Sequence, residues 1–302
     1  MVMFLDEERI AWLLNWDDLI PAMETALAGF SQGRVVQPVR NMLTIEEGRR
    51  YLGIMPAVGE DAMGLKLVSF YPGNAGTEVP THHAMILLFR TDTGEPLAVM
   101  DGRLITEMRT AAVSAAATRR LASPASTVLA LVGSGVQARA HLAALTHLRH
   151  FDEIRVWSRT PAHARRFAEE HGIRATDIET AVRGADVIVT ATNALEPIIK
   201  GDWLKPGAHV NAVGSPRPTW RELDDRAMAN TLIVDSREAV LKESGDVILA
   251  RAPIYAELGE IFAGLKTAPT GATTIFKSVG IAIEDIAAAK LVYDRASRDA
   301  AR

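Results

Sequence analysis

The chemistry this chain could carry is concentrated in one glycine-rich turn and a few cations set among apolar residues. Gly133-Ser134-Gly135-Val136-Gln137-Ala138 follows the apolar, β-branched run TVLALV. A strand that enters a glycine turn and leaves it as a helix fits the dinucleotide fingerprint G-x-G-x-x-G/A, here with alanine third. Gly133 permits the tight turn, Gly135 lets a pyrophosphate approach the backbone, and Ala138 lets the helix pack closely on the strand. The helix N-terminus offers unpaired N–H groups and a positive dipole end. Gly133, Gly135, Val136 and Gln137 are therefore candidate phosphate-binding residues. The cations are Lys66 in MGLKLVSF, Arg40 before NMLTI, and Arg109 beside Thr110 in an alanine-rich stretch; His82 and His83 open the run AMILLF. A buried cation is costly without a partner. Taken singly, each reads as half of an internal salt bridge or as a side chain reaching water. Three together, facing a hydride-transfer cofactor, read as a site for a substrate carboxylate.

NAD readers place a carboxylate after the second strand of a dinucleotide fold, where it binds the ribose 2′-hydroxyl. Here the run EIRVW ends in Ser158-Arg159-Thr160, without an acid. Arg159 suits a 2′-phosphate and hydroxyls flank it, so NADP is favoured, with NAD as the alternative. Two further turns at strand ends, Thr190-Ala191-Thr192-Asn193 and Val213-Gly214, lie where the nicotinamide half would pass, although polar residues there also simply end strands. Glu243 and Asp246, in LKESGDVI, read by themselves as a solvated helix face. There is no HExxH, GxSxG, kinase or Walker signature, and no metal site is expected.

The elements that must position these residues fall into two patterns. Residues 6–31 read as two helices, with Asp6 capping the first and Asp17 the second. Five runs between 40 and 102 (RNMLTI, RRYLGIMP, MGLKLVSF, HHAMILLFR, PLAVMDG) read as strands of a mostly antiparallel sheet. Residues 105–121 form a small-residue helix. From 127 onward strands and helices alternate, which means a doubly wound parallel sheet of Rossmann type with ligand at the carboxyl ends of its strands. Helices are expected at 136–148, 161–171, 178–184, 222–229 and 237–250. The tail, TTIFKSVGIAIEDIAAAKLVYDRASRDA, reads as one long amphipathic helix that returns to the first domain to bury its apolar stripe. The fold class is thus α/β with a second α+β domain: residues 1–112, completed by 275–302, for substrate and dimerisation, and 113–274 for the nucleotide.

Composition excludes more than it assigns. A formal net charge of −4 gives no reason to expect nucleic acid or an anionic membrane as partner. The chain has no cysteine, which excludes disulfides and thiolate chemistry and suits a reducing, cytoplasmic compartment. No apolar run approaches the ~20 residues of a spanning helix, and the acidic start MVMFLDEERIAWLL lacks the pattern of a signal peptide.

These segments resemble the ornithine cyclodeaminase/μ-crystallin family, and within it the μ-crystallin branch. The matching stretches include QPVR (37–40), YLGIMPA (51–57), KLVSFY (66–71), RTAAVSA (109–115), GSGVQA, GADVIVTAT (184–192), KPGAHVNAVG (205–214), RPTWRELDD (217–225), KESGDV (242–247) and FKSVG (276–280). The resemblance implies a two-domain subunit that dimerises through its first domain, a nicotinamide cofactor, and ketimine reductase activity on cyclic imino acids, with thyroid-hormone binding in vertebrate members. It implies that Arg40 and Lys66 hold the substrate carboxylate, that Arg109 sits with Thr110 where substrate meets cofactor, and that Glu243 reaches toward the substrate. Thr81, His82 and Ser278 would line the nicotinamide pocket. Ser158-Arg159-Thr160 takes the place of an Asn-Arg-Thr that holds the 2′-phosphate.

Two departures bear on the reaction. Cyclodeaminases and related alanine dehydrogenases carry an aspartate two residues after NAVG, where this chain has Pro216. Cyclodeaminases also carry a glutamate where this chain has Gly53. Cyclising ornithine demands a positioned carboxylate to move amine protons, whereas reducing a preformed cyclic imine needs mainly orientation and fixed charge. The expected activity is therefore NADPH-dependent reduction of Δ1-pyrroline-2-carboxylate or Δ1-piperideine-2-carboxylate. The alternatives are a cyclodeaminase or amino-acid dehydrogenase, and a non-enzymatic, cofactor-loaded binding protein.

Overall fold

A computed structural model describes residues 2–300. The chain divides into two compact units, Met1–Arg109 with Gly280–Arg302, and Thr110–Val279. The first is built on a six-stranded sheet of β1 (Met3–Leu5), β2 (Asn41–Glu46), β3 (Arg50–Val58), β4 (Met63–Phe70), β5 (His82–Phe89) and β6 (Pro96–Asp101), ordered β1-β6-β5-β4-β3-β2. All neighbours are antiparallel except β1, which pairs parallel with β6. The five expected strands are present. β1 was not expected, because three residues are too few to show an alternation.

Period-two patterning sorts the sheet into two faces. On the inner face Met55, Lys66, Ile86 and Met100 form one cross-strand row and are all buried. The helix Ala282–Ala300 packs against β3, β4 and β5 and against the helix Trp16–Ser31. The tail is thus not one long helix: Thr274–Lys277 is a strand, and helix begins only at Ala282. Thr274, Ile275 and Phe276 are β-branched or aromatic and buried on both faces, which favours a strand, and Gly280 turns the chain at φ +76°. Asp6 caps the helix Glu7–Leu13 as expected, accepting from Arg9 N at 2.9 Å. Asn15, not Asp17, caps the next, because the extended residue before Trp16 is the one whose side chain reaches Asp18 N.

The second unit carries an eight-stranded sheet with all neighbours parallel: β7 (Val128–Val132), β8 (Glu153–Trp157), β9 (Arg174–Ala175), β10 (Val187–Thr190), β11 (His209–Ala212), β12 (Thr231–Val234), β13 (Ile254–Glu257) and β14 (Thr274–Lys277). Their order is β13-β12-β14-β11-β10-β7-β8-β9. Strand order reverses direction between β7 and β10, the switch point where such sheets take ligands. β10, β11 and β14 are buried at every position, as strands covered on both faces must be. The helices Val136–Leu148 and Pro161–His171 match expectation. The helix expected at 222–229 is only Asp225–Met228, because Asp224 caps it and the preceding residues are pinned elsewhere. The segment 237–250 is two helices, Arg237–Glu243 and Gly245–Ala250, since the Ser244 side chain accepts from Val247 N and starts the second. β13 and the helix Leu258–Phe262 had no clear periodicity and were not expected.

Ile286 is fully buried on the helix that closes the first unit. Ile286→Ala should cost about 2–5 kcal/mol through lost burial and a cavity. Urea unfolding followed by circular dichroism reads this, and a change under about 1 kcal/mol would mean the helix is not integral to the sheet.

Candidate functional site

The three cations singled out in the sequence meet in the first unit. Lys66 points from the inner face of β4 and is 2% exposed. Its Nζ donates to Asp285 Oδ2 at 2.6 Å. Arg109 donates from Nε to Asp285 Oδ1 at 2.9 Å and from Nη1 to Glu284 Oε2 at 2.5 Å. Arg40, half-buried, donates to Gly280 O at 2.7 Å. A Cβ on Gly280 would lie 2.6 Å from Arg109 Nη1, so that guanidinium rests against the same glycine. Glu284 and Asp285 are fully buried.

For Lys66 and Arg109, then, the internal salt bridge is real. The partners come from the first turn of the C-terminal helix, and the sequence reading missed them. An acidic pair at a helix start ordinarily complements the dipole in water, so Glu284 and Asp285 carried no signal of burial. Lys66 and Arg109 thus share Asp285, and Arg109 also holds Glu284. Burial pulls Lys66 down to about 8, against the pull of Asp285 and with help from Arg109 and Arg40. Burial also opposes the charge on Arg109, but Asp285 and Glu284 outweigh it and hold the guanidinium above its ordinary value. Asp285 stays below the usual carboxylate range because Arg109 and Lys66 outweigh its burial.

His82 stands elsewhere on this face. It is exposed, stacks on Phe70 with centroids 4.4 Å apart, and its Nδ1 lies 3.0 Å from the half-buried Thr81 Oγ1. Phe70 is four residues along β4 from Lys66, about 13 Å. Between them the row Gly53, Val68, Ala84 has small side chains.

In the second unit the glycine turn has the expected form. Gly133 adopts φ +125°, and a Cβ there would meet Ala191 O at 2.6 Å. Gly135 is the N-cap of the helix Val136–Leu148, no side chain caps it, and nothing lies within 4 Å of where its Cβ would be. Ala138 is buried against the strand. Gln137 Oε1 is buried without a hydrogen-bond partner. Uncapped N–H groups and an open cradle fit a dinucleotide phosphate. Ser158, half-buried, and Arg159 and Thr160, both exposed, follow β8; Thr160 starts the helix Pro161–His171 without its hydroxyl capping it.

The loops after β10 and β11 hold Thr192 and Val213, both half-buried, and the exposed Asn193. Ser278 is buried after β14, where its Oγ donates to Asp235 Oδ2 at 2.9 Å. Thr110 is half-buried on the helix Arg103–Leu121. Pro216 is exposed and follows Ser215, a non-glycine residue at φ +48°. The solvated-face reading of Asp246 is wrong. Asp246 is fully buried, pairs with Lys277 at 3.0 Å, and accepts from the N–H groups of Glu222 and Leu223. It sits where Gly245 presses on Trp220, which turns that helix face inward. Glu243 is half-buried. Glu222, Lys277 and Asp235 were missed: each is one charged residue inside a motif, and only tertiary pairing shows it is buried.

Residues 1–300 match the ornithine cyclodeaminase/mu-crystallin family. The chain is 53% identical to the ketimine reductase mu-crystallin of Mus musculus over 301 residues, 96% of each protein. Its fold matches the Thermococcus litoralis Δ1-pyrroline-2-carboxylate reductase, solved with NADH and L-proline, at a TM-score of 0.93 and 36% identity, covering 99% of this chain and 98% of that one. An archaeal alanine dehydrogenase dimer with bound NAD matches at a TM-score of 0.93 and 32% identity, covering 99% and 97%. With its α/β fold, uncapped glycine turn and buried cation cluster, the chain belongs to the ornithine cyclodeaminase/μ-crystallin family.

Proposed function

We propose that this protein is an NAD(P)H-dependent reductase of cyclic ketimine carboxylates, converting Δ1-pyrroline-2-carboxylate or Δ1-piperideine-2-carboxylate to the cyclic amino acid. The observation that carries the reading is Lys66, a buried ammonium on the inner face of β4 with Arg109 and Arg40 close by. Its relatives, a ketimine reductase and a pyrroline-2-carboxylate reductase, are named for this reaction.

Arg40 and Lys66 hold the substrate carboxylate, and Arg109 fixes the acids that orient Lys66. Glu243, Thr81, His82 and Thr110 are the further contacts toward substrate and nicotinamide. Gly133, Gly135, Val136 and Gln137 hold the pyrophosphate, and Thr192, Asn193, Val213 and Ser278 the nicotinamide half. When bound, the nicotinamide supplies the hydride. Lys66 contributes charge to the ground state and, at a value of about 8, a proton that can be held at Nζ beside the imine nitrogen. A base that moves amine protons is not required, so Pro216 is compatible with this reaction. A nicotinamide cofactor follows from the fold; we propose NADPH as the preferred form, because Arg159 stands exposed after β8 with no carboxylate in its place.

The outer face of the first sheet supports a homodimer. Ile54, Leu67 and Met85 form one cross-strand row there, and Pro56, Leu65, Leu87, Val99 and Phe4 another. Phe4 is 78% and Met85 50% exposed, and so broad an apolar face marks an interaction site. The absence of cysteine suits a cytoplasmic setting.

The first test is NADPH oxidation with each imine; tight cofactor binding without turnover of either ring would overturn the enzymatic reading. The Lys66 ammonium exists below about pH 8 and is lost above it, so kcat/KM should fall as pH rises through that value. Lys66→Met should lower kcat/KM by about a hundredfold or more and abolish this limb while the fold is retained; an unchanged profile would remove Lys66 from its role. Arg159→Ala should raise KM for NADPH about tenfold and leave KM for NADH within about twofold, and equal effects would count against NADP preference. Leu67→Glu should convert a dimer to monomer in sedimentation velocity, an outcome excluded if the unaltered protein already sediments as a monomer.

A further inference from the structure

We propose that Glu222 is a positioning residue that fixes the nicotinamide-side loops of the cofactor site, with Lys277 and Asp246 holding it in place. The proposal rests on the nicotinamide reading above. Glu222 is fully buried, and both carboxylate oxygens are filled. Oε1 accepts from Thr192 N and Thr192 Oγ1, both at 2.7 Å. Oε2 accepts from Thr190 Oγ1 at 2.6 Å and Gly214 N at 3.0 Å. One side chain thus ties the end of β10, which borders the switch point, to the end of its neighbour β11. Each oxygen meets one backbone N–H, which can only donate, and one threonine hydroxyl, and the ionised carboxylate accepts from all four.

The other charges hold this clamp from behind. Lys277 Nζ donates to Gly214 O at 2.6 Å, so Gly214 is held at its N–H by Glu222 and at its C=O by Lys277. Lys277 pairs with Asp246, and Asp246 Oδ1 accepts from the backbone N–H groups of Glu222 and Leu223 at 2.9 and 3.0 Å. The fit excludes any side chain at 214: a Cβ there would lie 2.3 Å from Glu222 Oε1 and 2.3 Å from Thr192 O. The clamp borders strained backbone, since Ser215 holds φ +48° with its N–H on Thr192 O at 2.8 Å. Well-packed apolar residues would serve stability as well as three buried charges do. What charges supply instead is a fixed geometry for two loops, which is what a hydride donor's ring needs.

The experiment measures binding, not turnover. Calorimetric titration compares NADPH with adenosine 2′,5′-bisphosphate, which carries only the adenosine half. Glu222→Gln presents a donor to N–H donors and should weaken NADPH by about tenfold or more while the fragment stays within about twofold. Thr190→Val removes one donor, keeps the shape, and should weaken NADPH about threefold in the same selective way; it decides the matter if Glu222→Gln does not fold. Amide exchange at Thr192 and Gly214 in nucleotide-free protein should quicken in both variants. Equal weakening of dinucleotide and fragment, or none, overturns the proposal. Unaltered protein that binds no dinucleotide overturns the parent reading and this one with it.

Discussion

A lysine ammonium on a sheet face that has been closed off from water cannot stand alone. Here it is met by Asp285, which lies 219 positions later in the chain. That one requirement accounts for much of the first unit. The C-terminal helix must return to the six-stranded sheet and lay its first turn against β4. Arg109 must then reach the same carboxylates, because two buried acids opposite one lysine would leave a buried negative charge unanswered. The result is a buried set of charges joined by mutual ion pairs. Ion pairs of this kind add little stability compared with apolar packing. Their value lies in direction: the ammonium is held at one place by a partner that cannot move.

The second unit meets a related problem with the sign reversed. The carboxyl ends of parallel strands expose N–H groups and flexible loops, and a dinucleotide needs some of these loops open and others fixed. At the glycine turn the N–H groups stay uncapped. At β10 and β11 they are taken up by Glu222, whose charge is offset by Lys277. Burial raises Glu222 and Lys277 opposes that shift, while Thr190, Thr192 and Gly214 all donate to its two oxygens. A sheet of this type therefore divides its edge into a receptive end and a rigid end.

The chemistry follows from what these sites can and cannot move. In the proposed reaction, fixed cations orient a carboxylate and the hydride closes the charge on the imine carbon. Pro216 cannot accept a proton, and it sits exposed after a strained serine rather than aimed into a polar cluster. Reduction of a ring already closed asks for orientation above all. Deamination asks for a mobile proton acceptor at a position where this chain has proline.

The sequence was most legible where the physics is local. Alternation marked β2 to β6, the glycine turn marked the nucleotide helix, and cations in apolar runs marked Lys66, Arg40 and Arg109 as charges in need of a partner. It was least legible where a charge is answered from far along the chain. Glu284 and Asp285 look like ordinary first-turn acids, Asp246 like a solvated one, and Glu222 like one letter in a motif. The strand Thr274–Lys277 was hidden in a helical tail because its strand character comes from pairing with β11 and β12, which lie far away in the chain. What the sequence determined by itself was the kind of element, the glycine turn and the presence of cations among apolar residues, since these depend on neighbours within a few residues. Only the tertiary structure decided which acids neutralise which cations and which loops are clamped, because charge pairing in a dry interior depends on distance in space and the chain order carries no record of it.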